Sequence, residues 1–93
     1  MVNKYEIDNK IYELIENYKE KFSLEDVKEK YTEYFEEYDF IVGDFAYDKL
    51  RLKGFCEKHN KNFKPINDKE RIKKYIKEDC AYECAYFILK KVD

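Results

Sequence analysis

Ninety-three residues with 43% charged and 44% hydrophobic side chains make one domain, spanning 1–93. A chain this short buries roughly 60–65% of its unfolded surface, enough for a modest core without disulfides or metals. No apolar run approaches the roughly 18 residues of a membrane-spanning helix, and MVNKYEIDNK has no signal-peptide apolar region. Cytoplasm is therefore the expected compartment. The mean hydropathy of −0.90 alone points to disorder, but ten Tyr and seven Phe supply large apolar area and argue for a folded core. With only two Gly and one Pro, most of the chain is expected in helix or strand.

Net charge is −2, unevenly distributed. Residues 1–48 hold 6 Lys/Arg against 14 Asp/Glu, and residues 49–77 hold 11 against 3. A first block of −8 thus meets a second of +8. Either the two blocks face each other in the fold, or the second is a basic patch for an acidic partner.

In chain order, Tyr5-Glu6-Ile7 and Ile11-Tyr12-Glu13-Leu14-Ile15 read as short strands. Asp8-Asn9 between them tolerates the positive φ of a two-residue hairpin turn. Glu16 to Phe22 reads as a polar connection. Ser23 caps a helix, with Asp26 placed as in a capping box. Leu24, Val27, Tyr31, Tyr34, Phe35 and Tyr38 fall on one helical stripe, so Tyr31, Tyr34 and Phe35 are expected in its core face. Glu36, Glu37 and Asp39 crowd the end where the helix dipole favours cations, so a cation from the basic block is expected nearby.

Phe40 to Phe45 and Lys49 to Cys56 are the next two strands, joined by Ala46-Tyr47-Asp48. Strand alternation puts Arg51 and Lys53 opposite Leu50 and Leu52. Gly43 inside a strand signals a bulge or a close backbone approach. Glu57 to Ile66 holds the only Pro and reads as a mobile surface loop. Asn67 or Asp68 caps a second helix with the stripe Ile72, Tyr75, Ile76, Cys80. Cys84 to Leu89 is almost continuously apolar, which marks a central strand covered on both faces. The order ββαββαβ gives the expected fold class: α+β, a compact sandwich of a mostly antiparallel five-stranded sheet with two helices.

Three stretches carry a resemblance to a known family: Tyr12 to Tyr18; Tyr38-Asp39-Phe40-Ile41-Val42-Gly43-Asp44 followed by Leu50-Arg51-Leu52-Lys53-Gly54-Phe55; and Cys80 with Cys84 to Lys91. In order and spacing these resemble the YutD family of small bacterial proteins. The turns depart from that pattern, with Phe45, Ala46 and Asp48 where the family tends to have Trp and Gly, and Asp8-Asn9 where it often has Asn-Gly. The resemblance implies a compact α+β fold and carries no reaction with it.

Chemistry is restricted accordingly. One Ser, one His and no glycine-rich loop leave no nucleophilic triad and no phosphate cradle. Asp44 is the best lone carboxylate for an enzyme; its structural alternative is a charge partner for Arg51 or Lys53 across the hairpin. Cys56, His59, Cys80 and Cys84 have the count of a Cys3His zinc set, but a pair split between a helix end and a strand start suits one site poorly. The spacing of Cys80 and Cys84 is not the CxxC of redox motifs. The expectation is three reduced, partly buried thiols, no metal and no cofactor.

What remains is binding. Asp44, Arg51, Lys53, Phe55, Arg71, Lys73, Lys74 and Lys77 form the expected binding face within the basic hairpin, loop and second helix. Its partner would be RNA, a ribonucleoprotein or an acidic protein, with Phe55 and Phe63 as aromatic surfaces for unpaired bases. The alternative is a protein–protein adaptor docking through the acidic first helix.

Overall fold

A computed structural model describes residues 3–46, 49–79 and 85–92 of the chain. Strands β1 (Lys4–Ile7), β2 (Lys10–Tyr18), β3 (Phe40–Ala46), β4 (Lys49–Phe55) and β5 (Tyr86–Lys91) form one sheet in the order β1-β2-β5-β3-β4. Every pairing in it is antiparallel. The apolar run at β5 takes the central position, as expected of a strand covered on both sides. Helix α1 (Leu24–Lys30) and helix α2 (Ile72–Asp79) complete the α+β architecture.

The alternation of side chains sorts the core into two layers. Ile7, Tyr12, Ile41, Leu50, Phe87 and Leu89 point to one face and bury Val27 of α1 and Phe35. Phe40, Val42, Phe55 and Ile88 point to the other and bury Ile72 of α2. The two helices therefore lie on opposite faces of the sheet.

The Asp8-Asn9 hairpin forms as expected, with φ of 51° and 66° at the two turn residues and Ile7 paired to Lys10. The connection expected from Glu16 is instead strand as far as Tyr18, with a bulge between Leu14 and Glu16. The bulge turns Ile15 outward and lets the strand run on, past the point where simple alternation fails. Lys19 and Glu20, both at positive φ, end it.

Ser23 caps α1, its Oγ accepting the Asp26 N–H at 3.5 Å. The expected long helix breaks. Tyr31 and Thr32 are extended, and a 3₁₀ turn covers Glu33–Glu37. No Gly or Pro forces this. The break lets Tyr31 reach the Tyr12 hydroxyl (3.0 Å) while Phe35 still enters the core. Tyr34 does not enter it: the residue is 65% exposed.

Gly43 has no left-handed backbone; its role is space. The Phe87 ring lies directly across from it, where any Cβ would overlap the ring. Gly54 accommodates the Tyr38 ring in the same way.

The 57–67 segment is knit by amides. Asn60 Nδ2 donates to the Glu37 carbonyl (2.9 Å) and to Asp39 Oδ2 (3.0 Å), and the Glu57 N–H donates to Asp39 Oδ2 (2.8 Å). Asn62 Nδ2 reaches Glu37 Oε2 at 2.8 Å, and buried Asn67 bonds Lys64 N and Asn62 O. The acidic cluster at 36–39 thus meets asparagine and backbone donors from this segment, in place of the expected cation. The lysine that does arrive, Lys91, comes from β5 and donates to the Glu36 carbonyl at 2.7 Å. The turn expected at Tyr47-Asp48, with Cys80 and Cys84, lies outside the described residues.

Candidate functional site

Registers place one row of side chains on the α2 face: Tyr18 on β2, Tyr86 on β5, Asp44 on β3 and Arg51 on β4. Asp44 is fully buried, and Arg51 clamps it with both arms of its guanidinium: Nε to Oδ1 at 3.2 Å, Nη2 to Oδ2 at 2.6 Å. This is the cross-strand partnership that charge and alternation made available. Both carboxylate oxygens are engaged by Arg51, so Asp44 acts as an anchor for Arg51 at the sheet edge.

Tyr86 stacks on Tyr18 at 5.3 Å, and its hydroxyl is pushed up to about 12 by a hydrogen bond to Glu16 and by burial. Tyr38 donates to the Tyr34 hydroxyl at 2.8 Å and is likewise raised to about 12, first by that bond and then by burial. Both phenols stay neutral over the physiological range.

Along β4 the next residue on the α2 face is Lys53, paired with Val42. Its Nζ sits 5.8 Å from the Phe55 ring centre and 5.6 Å from that of Tyr75 on α2. Phe55 itself is fully buried beneath them. That corrects the expected stacking role: a base cannot reach a ring enclosed by Tyr75 and the core.

The basic residues divide along α2. Lys53, Arg71 and Lys74 line one concavity beside Tyr75 and Ile66. Lys73 lies on the other side of α2, with Lys69, at an apolar recess of about 360 Å³ over Phe40, Ile72 and Ile88. Arg51 and Lys73 therefore line different hollows. Lys77 follows Lys73 by one helical turn and is exposed.

The largest hollow of this group, about 630 Å³, runs along the outer side of β4. Leu52 and Gly54 form its floor, Tyr34 and Tyr38 one wall, Ile66 and Tyr75 the other, and Arg51, Lys53 and Lys64 its charge. Tyr34 and Ile66, at 65% and 66% exposure, are the most exposed large apolar residues among those described. Both stand on this groove. The residues missed in the sequence are thus Tyr34, Tyr38, Leu52, Gly54 and Ile66. Ile66 alone carried a signal, as an isolated apolar residue after Pro65 in a stretch of Lys and Asn.

Among the described residues the two charge blocks meet in a single ion pair. Lys58–Glu70 (3.6 Å) and Lys69–Glu57 (2.8 Å) both lie inside the basic block, and only Arg51–Asp44 joins the two blocks. The Lys69 ammonium holds the Glu57 carboxyl below its usual range.

Cys56 is buried, with its thiol pushed up by burial and by the nearby Asp39 carboxylate. His59 is exposed on the neighbouring turn, so the two halves of the C-x2-H pattern diverge. No helix among the described residues is long and apolar enough to cross a membrane.

Comparison with known proteins agrees with this architecture. Residues 6–90 match the profile of a family described as "Putative antitoxin YutD-like". A Bacillus subtilis (strain 168) protein named "Putative antitoxin YutD" is 40% identical over 86 residues, covering 92% of this chain and 94% of that one. The solution NMR structure of protein yutD from B. subtilis superposes with a TM-score of 0.78 at 38% identity, over 96% of this chain and 81% of that one. Matched over most of its length in sequence and in fold, the chain belongs to the YutD-like family.

Proposed function

We propose that this chain is a binding protein that holds an acidic segment of a partner protein against the groove on the outer side of β4. The observation that carries this reading is the convergence there of Lys53 and Lys64, beside the Asp44-paired Arg51, with the exposed apolar residues Tyr34 and Ile66. Cations beside an exposed apolar patch suit a partner with both acidic and apolar side chains. The word antitoxin in the names of the family and of the B. subtilis relative speaks for a partner to be held rather than a substrate to be turned over. The burial of Phe55 removes one of the two rings expected to stack on bases, so an RNA on this groove would have to use the exposed Tyr34 instead. The engagement of Asp44 by Arg51 weighs against an enzyme built on that carboxylate.

The test is a comparison of two polyanions on the isotopically labelled protein. Polyglutamate at low salt should perturb amides of residues 50–54 and 64–66, and should weaken as salt rises. Lys53→Glu with Lys64→Glu should abolish the effect while leaving the fold intact. Polyuridylate acting on these residues more strongly than polyglutamate would replace this reading with RNA binding. Perturbation centred on Lys69 and Lys73 would move the site to the other side of α2.

A further inference from the structure

The backbone of β4 carries a second message, which rests on the reading just given. The Phe45 N–H donates to the Ala85 carbonyl at 3.1 Å. In an antiparallel ladder this assigns the odd residues of β3 to β5 and the even ones to β4. By register, Lys49, Arg51, Lys53 and Phe55 bond back to β3. Leu50, Leu52 and Gly54 then direct their N–H and C=O groups away from the sheet. Cys56, next in this series, shows what such groups do. Its N–H donates to the Asn67 carbonyl at 2.7 Å, and its carbonyl accepts the Lys69 N–H at 2.9 Å. The chain thus lays its own Asn67–Lys69 against the edge as a one-residue parallel bridge, Cys56 to Asp68, and then turns away. The groove begins where that bridge stops, with Gly54 and Leu52 on its floor.

We infer that β4 accepts a strand from the partner protein, which continues the row begun at Cys56 and pairs with the outward backbone groups of Gly54 and Leu52. The occupant is an extended segment alternating acidic and apolar residues. Side chains of an added strand alternate like those of β4. One set would lie beside Arg51 and Lys53, the other beside Leu52 and the rings of Tyr34 and Tyr38. A second copy of this chain fits poorly. Antiparallel pairing of two β4 strands about Leu52 sets Arg51 of each copy against Lys53 of the other, and like charges directly opposite are destabilising. The same cations that guard the edge against self-pairing select an acidic visitor.

Synthetic ten-residue peptides alternating glutamate and valine test this on the intact, labelled protein at low salt. Binding should slow amide hydrogen exchange at Leu52 and Gly54. Two twins, N-methylated on all valines or on all glutamates, should then differ. Only the residues whose N–H groups face β4 matter, so one twin should lose at least about tenfold in affinity, as for two or three backbone hydrogen bonds, and the other should not. Equal binding by all three peptides, or equal loss by both twins, overturns strand addition. If the Lys53→Glu/Lys64→Glu variant still abolishes binding in that case, the acidic-partner reading stands and only the strand falls. A valine–lysine peptide binding as well as the glutamate peptide removes both.

Discussion

The two faces of the sheet are built to different ends. The α1 face closes over eight buried apolar residues whose rings interlock: Phe22 meets Phe87 edge-on at 5.0 Å, and Phe87 in turn lies on Gly43. The α2 face buries five, leaves a recess of about 360 Å³ beside the helix, and buries Asp44 beneath a half-exposed Arg51. Close packing concentrates stabilisation on the first face. The second spends apolar area on holding Arg51 and Lys53 at the edge strand. The helices carry charge of opposite sign on the two sides: α1 and its 3₁₀ turn are rich in carboxylates, α2 in lysines.

The largest expected effects test that difference in packing. Phe87→Ala and Phe35→Ala should each cost about 3–5 kcal/mol, as large-to-small changes at sites with little room to collapse. Ile72→Ala on the α2 face should fall near the lower end of its range, about 2 kcal/mol, because the recess beside it already leaves some of its surface without partners. Urea denaturation midpoints measure all three. Equal losses on both faces would show that the recess carries no energetic consequence.

Next comes the charged pair. Arg51→Ala should cost roughly 2–3 kcal/mol, because it strands the buried Asp44 carboxylate. Asp44→Asn should cost less, since Arg51, with 46% of its side chain exposed, can turn to water. A reversed order would mean that Asp44 finds another donor. Gly43→Ala is expected to cost about 1–3 kcal/mol by overpacking against Phe87. Phe87→Leu in the same chain should relieve part of that cost, and additivity of the two changes would contradict the close approach.

These elements differ in how far the sequence disclosed them. Alternation at Leu50-Arg51-Leu52-Lys53 was readable because one face of β4 is apolar, and the almost continuous apolar run at 84–89 announced a strand covered on both sides. Asp8-Asn9 declared its turn through residues that tolerate positive φ. The break after α1 was hidden: the stripe Val27, Tyr31, Phe35, Tyr38 suits an unbroken helix, and the contact that goes with the break, Tyr31 to Tyr12, is made to a strand distant in sequence. The bulge at Ile15 was hidden for a like reason, since it is defined by register against β5, a partner distant in sequence. Of the site, the cations were legible and their grouping was not. Lys73 and Lys74 are neighbours in sequence yet line different hollows, and Tyr34 joins Ile66 across the edge of β4 only in the fold.

A smaller effect should appear in alkali. Tyr38 and Tyr86 have pKa values raised to about 12 in the folded chain, above the ordinary value near 10. The unfolded chain therefore releases these protons first, so their contribution is complete below about pH 10 and is lost as pH rises toward 12. Tyr38→Phe and Tyr86→Phe should each flatten the fall in stability over that window. Tyrosinate absorbance followed alongside unfolding checks it; an unchanged slope would mean that neither phenol is held neutral by its neighbours.

The central claim is that the cations beside β4 select the partner by charge. Fluorescence anisotropy with labelled valine–glutamate and valine–lysine peptides measures this directly, on the parent chain and on Lys53→Glu/Lys64→Glu. The account predicts that the parent prefers the acidic peptide and that the variant reverses the preference, with both preferences fading as salt rises. A variant that keeps the parent's preference would contradict it.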